Sequence, residues 1–194
     1  MPPPHSALPC GGEVHLADVI RLALFRANPP SRILFHGRQE NTWLAWLAGP
    51  FREILTPHIH LCHHAASQLC IEELIAADHA LASRLPPAAS KASTLAAGPL
   101  LDAHHGASAL QGFHRLVSAA RRGNTPGHFS TLIAARAAWF YLPPHAPLLA
   151  CAYVEWPGRQ PGNIPLFTSM YPASNILPPA ASPDSKPALR TLAR

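Results

Sequence analysis

Apolar residues recur at helical spacing early in the chain. Leu16, Val19, Ile20, Ala23, Leu24 and Ala27 fall on one face, with Asp18, Arg21 and Arg26 toward the flanks or outside. Asn28-Pro29-Pro30 ends this helix, because proline has no amide hydrogen to donate and biases the residue before it away from helix. Arg32-Ile33-Leu34-Phe35-His36 follows as a short, nearly continuous apolar run. Such a run predicts a strand covered on both faces of a parallel sheet, and Gly37 closes it. His36, Arg38, Gln39, Glu40 and Asn41 then stand at the strand's carboxyl end, where open α/β sheets bind ligands. The same residues also read as a strand cap and a solvated loop.

Asn41-Thr42 can cap a helix carrying Trp43, Leu44, Trp46 and Leu47, stopped by Gly49-Pro50. The tryptophans are read as core packing or as an aromatic platform for a sugar or base. Residues 51–55 are too short to assign, and Thr56-Pro57 reads as a break. As a strand, residues 58–64 put His58, His60, Cys62 and His64 on one face and Ile59 and Leu61 on the other. Imidazole and thiolate are transition-metal ligands, so these four form a candidate metal set, although their spacing matches no specific metal motif. Residues 67–85 predict the longest helix, with Ile71, Leu74, Ile75, Leu81, Ala82 and Leu85 inward. Asp78 shares that face. A buried carboxylate must be paired or hydrogen-bonded, so Asp78 is either a structural partner for an arginine or a site residue.

Residues 86–99 read as a loop or lid, and a helix is expected from about Ser108 to Arg122. A strong turn at residues 123–127 leads into a helix over residues 128–142. Beyond Pro143-Pro144, residues 148–156 (LLACAYVEW) read as a second strand, and residues 163–171 as at most an edge segment. The sum is an α/β fold: a small, helix-rich single domain over residues 13–171 with a short, mostly parallel sheet. Disordered termini are expected at residues 1–12 and 172–194.

Composition narrows this picture. Forty-eight per cent hydrophobic content supports a packed core, but much of it is alanine, and 23 prolines cut the chain into short elements. The formal net charge of +5 comes from scattered arginines, so no basic stripe points to nucleic acid. The four cysteines form no C-x-x-C, which argues against a disulfide framework or a zinc ribbon. No secretory leader pattern and no apolar run long enough to span a membrane occurs, so a soluble cytoplasmic protein is expected. Serines and histidines are plentiful, yet no G-x-S-x-G elbow is present, and a hydrolase triad is not expected.

Residues 14–55 resemble the entry segment of glycosyltransferases of the GT-A fold that carry a DXD sugar-binding region. The likeness rests on Asn28-Pro29-Pro30-Ser31-Arg32-Ile33-Leu34-Phe35-His36, followed by Glu40, Thr42, Trp43 and Trp46, and covers about a fifth of the chain. It implies a sugar-nucleotide ligand held by His36, Arg38, Glu40 and Trp43, with a divalent metal at the diphosphate. It also makes Asp78 the candidate catalytic acid, since Ala77-Asp78 echoes the family's Ala-Asp-x-x-Arg helix, although the arginine here is Arg84, six positions on. The family's Gly-Gly-x-Tyr turn and Asp-x-Asp pair are absent, which implies a degenerate or truncated catalyst. The alternative is a non-enzymatic interaction or accessory protein, binding a protein partner or a transition metal through the His/Cys cluster.

Overall fold

A computed structural model describes residues 20, 40–102, 111–160, 162–171 and 176. Among them, in chain order, lie α1 (Glu40–Trp46), a π-helical stretch (Leu47–Leu55), α2 (Thr56–Ser67), α3 (Ile71–Arg84) and α4 (Pro87–Ala96). There follow α5 (Gly98–Asp102), α6 (Gln111–Arg121), α7 (Phe129–Trp139), α8 (His145–Glu155) and α9 (Ile164–Met170). No strand occurs among the described residues, so the expected α/β fold is corrected to an all-α fold.

The two expected strands inside this region fail for different reasons. The alternation of residues 58–64 is local to that window. Extended by two residues, the buried positions Ile59, Cys62, Ala65 and Ala66 recur at the helical period, and the segment is part of α2. Residues 148–156 show no period because residues 146–155 are all buried, and a wholly buried helix and a wholly buried strand look alike by pattern. There the leucines and alanines, good helix formers, decide the outcome. The expected loop at residues 86–99 is α4 and the start of α5, and the expected edge segment is α9. Pro57, Pro87 and Pro165 all lie in the first turn of a helix, where the missing amide hydrogen costs little, so they start helices. The expected helix at residues 16–27 and strand at residues 32–36 lie outside the described residues, except that Ile20 is helical and buried. The expected tails lie outside them too, apart from Ile176, which is buried against the core.

α1, the π-helical stretch and α2 follow one another without a break, although Pro50 and Pro57 would each disturb an ordinary α-helix. Wider winding absorbs them. The Thr56 amide and the Thr56 hydroxyl both donate to the Phe51 carbonyl, five residues back. Pro57 cannot bond the Glu53 carbonyl four residues before it, and the Arg84 guanidinium donates to that oxygen instead at 3.2 Å.

α7 and α8 form the centre. All of Phe129–Trp139 is buried, as is the run from Ala146 to Glu155. Among the described residues no helix is long and apolar enough to cross a membrane. α2 runs parallel to α7 and makes the most extensive helix pair with it: His58 meets Thr131 near one end, and the Trp139 indole donates to the Ala66 carbonyl at 2.9 Å near the other. α1 and α9 close a second cluster, in which Trp43 packs edge-on against Tyr171 and Phe167 with ring centroids 4.9 and 6.1 Å apart.

Three helices end in the same hydrogen-bonded cap, in which the residue two past the helix end turns left-handed and two amides bond back to open carbonyls. After α6 this residue is Gly123, with φ of 73°. After α2 and α7 it is Leu69 and Tyr141, each with φ of 58°. Because α2 and α7 are parallel, Leu69 and Tyr141 lie at the same end of the pair.

Gly127, one residue before the N-cap of α7, is left-handed with φ of 74°, and a Cβ there would stand 2.9 Å from the Ala120 Cβ. Gly127→Ala is expected to destabilise the protein by about 2 kcal/mol, combining the left-handed penalty with overpacking. Chemical denaturation of the variant beside the parent measures it.

Candidate functional site

A helix buried along its whole length still has open amide groups at its start, and these need acceptors. α7 has no side-chain cap from its own N-cap residue, His128. Asp78 from the middle of α3 supplies the acceptor. Its carboxylate takes the Gly127 and His128 amides, while Ser93 of α4 takes the Phe129 amide at 3.2 Å. Negative charge at a helix N-terminus is further favoured by the helix dipole.

Three side chains complete the shell of Asp78. Thr125 donates to Oδ2 at 2.6 Å, and Thr131 and the His128 Nδ1–H donate to Oδ1 at 2.6 and 2.9 Å. With the two amides, five donors surround a carboxylate that has about four lone-pair positions. Burial pushes the Asp78 carboxyl up, but the hydrogen bonds from His128, Thr125 and Thr131 outweigh it and lower the pKa from 3.8 to about 2. Asp78 is therefore an ionised acceptor, saturated by the protein itself.

Tautomers follow from this. Since Asp78 only accepts, His128 carries its proton on Nδ1, and in the neutral ring Nε2 is left as an acceptor. Ser90 of α4 sits 3.0 Å from that nitrogen, so its hydroxyl donates to it. On the other branch, Thr131 spends its proton on Asp78 and must accept from His58, whose Nε2 lies 2.9 Å away. Burial drives the His58 pKa from 6.5 down to about 4, against the pull of the Asp78 charge, so the ring is neutral. The Cys62 Sγ lies 3.5 Å from the same His58 nitrogen. Burial and the nearby Asp78 charge raise this thiol to about 12, so it stays protonated.

Of the residues singled out from sequence, the structure joins Asp78, His58 and Cys62 through Thr131. It does not assemble the metal set as expected. On a helix His58 and Cys62, four apart, share the buried face, while His60 and His64 are both exposed. Among the described residues no group of three or more His, Cys, Asp or Glu is arranged to hold a metal ion. Glu40 is exposed in the first turn of α1, and Trp43 is fully buried in the aromatic cluster with α9. His36 and Arg38 lie outside the described residues.

Sequence reasoning anticipated that a buried Asp78 would need partners and named an arginine. The partners are instead donors from the turn before α7 and from its first turn, in the pattern Thr125-x-Gly127-His128-x-x-Thr131. Ser90 was missed because residues 86–99 read as a loop, which gives a serine no fixed direction.

No family model matches the chain, and no curated protein or solved structure matches it.

Protons taken up by this network set an acid limit. His58 has a lower pKa folded than unfolded, so its contribution is intact above about pH 6.5 and is lost as pH falls toward 4, about 3 kcal/mol in all. Asp78, also lowered, contributes fully above about 3.8, and roughly 2 kcal/mol is lost as pH falls toward 2. Thermal melts from pH 7.5 to 3 should therefore lose stability first through the histidine window. His58→Gln should flatten that first slope and leave the carboxylate-dependent loss below pH 4.

Proposed function

We propose that this chain is a helical interaction protein whose binding surface is the end of the α2/α7 pair that carries Leu69, Phe140 and Tyr141. The left-handed backbone at Leu69 and Tyr141 carries the reading. Each bulky residue pays about 1–2 kcal/mol to hold a conformation glycine takes freely. Gly123 gives the same cap on α6 the less strained solution. The two side chains held at that cost face solvent: Leu69 is 63% and Tyr141 93% exposed, with Phe140 beside them at 43%. A Cβ on Gly112 would meet both the Trp139 ring and the Leu69 side chain, so α6 packs against this end of the pair at a position where only glycine fits easily. Strain and exposed apolar surface coinciding at one end of a helix pair support selection for contact over stability.

The occupant that fits is an apolar face of a protein partner, with aromatic anchors as its points of purchase. The glycosyltransferase reading gains no comparable support. The described residues contain no sheet on which that fold could be built, and Asp78 has no free lone pair for a cation.

Leu69→Gly and Tyr141→Gly should each raise stability in denaturant by about 1 kcal/mol, since the strain is relieved. A photo-crosslinking residue placed at 141 should capture one discrete partner in cells of the source organism, and the adduct should disappear when Leu69→Gly is added. A monomer by light scattering that yields no adduct, or an adduct indifferent to Leu69→Gly, overturns the proposal.

A further inference from the structure

The same fold that buries Asp78 brings Ser90, His128 and Asp78 into one hydrogen-bonded line. Ser90 Oγ lies 3.0 Å from His128 Nε2, and His128 Nδ1 lies 2.9 Å from Asp78 Oδ1. These are the contacts by which a carboxylate orients an imidazole and the imidazole draws the proton from a serine hydroxyl, an arrangement recognised by geometry whatever the fold or chain order. Burial is graded along the line. Asp78 and His128 are wholly buried, and Ser90 is half-buried, so the nucleophilic end is the one that reaches the surface.

The turn bearing Ser90 adds a second element. Ser90 lies in the first turn of α4, which begins after Pro86 without a side-chain cap. Pro87 has no amide hydrogen, and the Ser90 amide is bonded to the Pro86 carbonyl at 2.9 Å. The Ala88 and Ala89 amides, at the second and third helical positions, have no intrahelical carbonyl to reach and sit at the positive end of the helix dipole. Open amides in the turn that carries a nucleophile are the kind of donor that stabilises negative charge developing on an attacked carbonyl oxygen. The two preceding positions, Ala88 and Ala89, carry only methyl side chains.

We propose that Ser90 is a nucleophile, activated by His128, that accepts acyl groups from small esters. Ser90 Oγ attacks the ester carbonyl carbon while His128 Nε2 takes the hydroxyl proton. The bond from the acyl carbon to the alcohol oxygen then breaks, and the departing oxygen takes that proton from His128. Water, deprotonated in turn by His128, attacks the acyl-serine, releasing a carboxylic acid and restoring the Ser90 hydroxyl. Short acyl chains such as acetyl are the class proposed, since they need no extended cleft beyond the reacting carbonyl. This site is separate from the Leu69 and Tyr141 surface, and the two readings stand or fall independently.

The full chain is treated with a fluorophosphonate, which transfers its phosphonyl group to an activated serine with loss of fluoride, and the adduct is located by peptide mass spectrometry. Hydrolysis of p-nitrophenyl acetate is followed alongside. The expected result is an adduct on Ser90 and ester turnover that falls to the buffer rate in Ser90→Ala, a change that suits a half-buried helical position. His128→Gln, where circular dichroism shows native helix, should label at least about a hundredfold more slowly. If His128→Gln does not fold, the adduct position and Ser90→Ala decide. A natively helical parent with no adduct on Ser90, or Ser90→Ala hydrolysing the ester at the parental rate, overturns the proposal.

Discussion

The carboxylate of Asp78 is the constraint on which this fold turns. α7 is buried on every side, and a helix so placed cannot leave its first amides to water. One side chain from α3 answers the Gly127 and His128 amides and gathers Thr125, Thr131 and the His128 ring around it. These contacts fix where α3 crosses the start of α7. Through Thr131 they fix the depth of His58, and with it the register of α2 along α7. Through His128 they fix the first turn of α4, which also bonds α7 by way of Ser93. Three helices are thus referenced to one end of the fourth, and the apolar packing of the pair from His58 to Trp139 follows from that alignment.

Polar ties of this kind stabilise less than their number implies, because each group is withdrawn from water before it is bonded. What they do well is exclude alternatives. Ala65 and Ala66 on α2 and Ala134 and Ala135 on α7 are all buried, and such small side chains offer no distinctive ridges, so they set register weakly on their own. A one-turn slip of α2 against α7 would strand His58 and the Trp139 indole without their partners and leave Thr131 only its bond to Asp78. The alanine-rich interface permits close approach of the helices, and the polar groups at its two ends choose among the close approaches.

This division explains which parts were legible in the sequence. The helix over residues 71–84 showed its period because one face meets solvent through Glu72, Glu73, His79 and Ala80. α8 has no such face, and without contrast its Leu-Ala run carried no readable period. Prolines misled for a related reason. Pro57, Pro87 and Pro165 break a helix when they fall inside it and begin one when they fall in its first turn, and local sequence does not say which without knowing where the helix lies. Of the site, the buried charge of Asp78 could be read from its place on an apolar face. Its partners could not, since they come from about 50 residues away and two of the donors are backbone amides that no side-chain pattern encodes.

The helix ends make the complementary case. Gly123, Leu69 and Tyr141 occupy the same position in the same cap, so backbone geometry is held constant while the side chain varies. Glycine is the less strained choice at all three. The departure from it at α2 and α7 cannot be charged to core packing, because Tyr141 is almost wholly exposed and Leu69 mostly so. Nor can it be charged to composition, since a chain that places glycine at one such cap has glycine available for the others. What separates the two from Gly123 is that both stand at the same end of one helix pair, the end far from Asp78. One end of that pair is locked by a buried carboxylate with every lone pair used. The other is tied by the Trp139 indole to the Ala66 carbonyl and by the His63 Nε2–H to the Leu142 carbonyl at 2.8 Å, and it also carries two strained, exposed apolar side chains, which is the distribution the proposed partner contact requires.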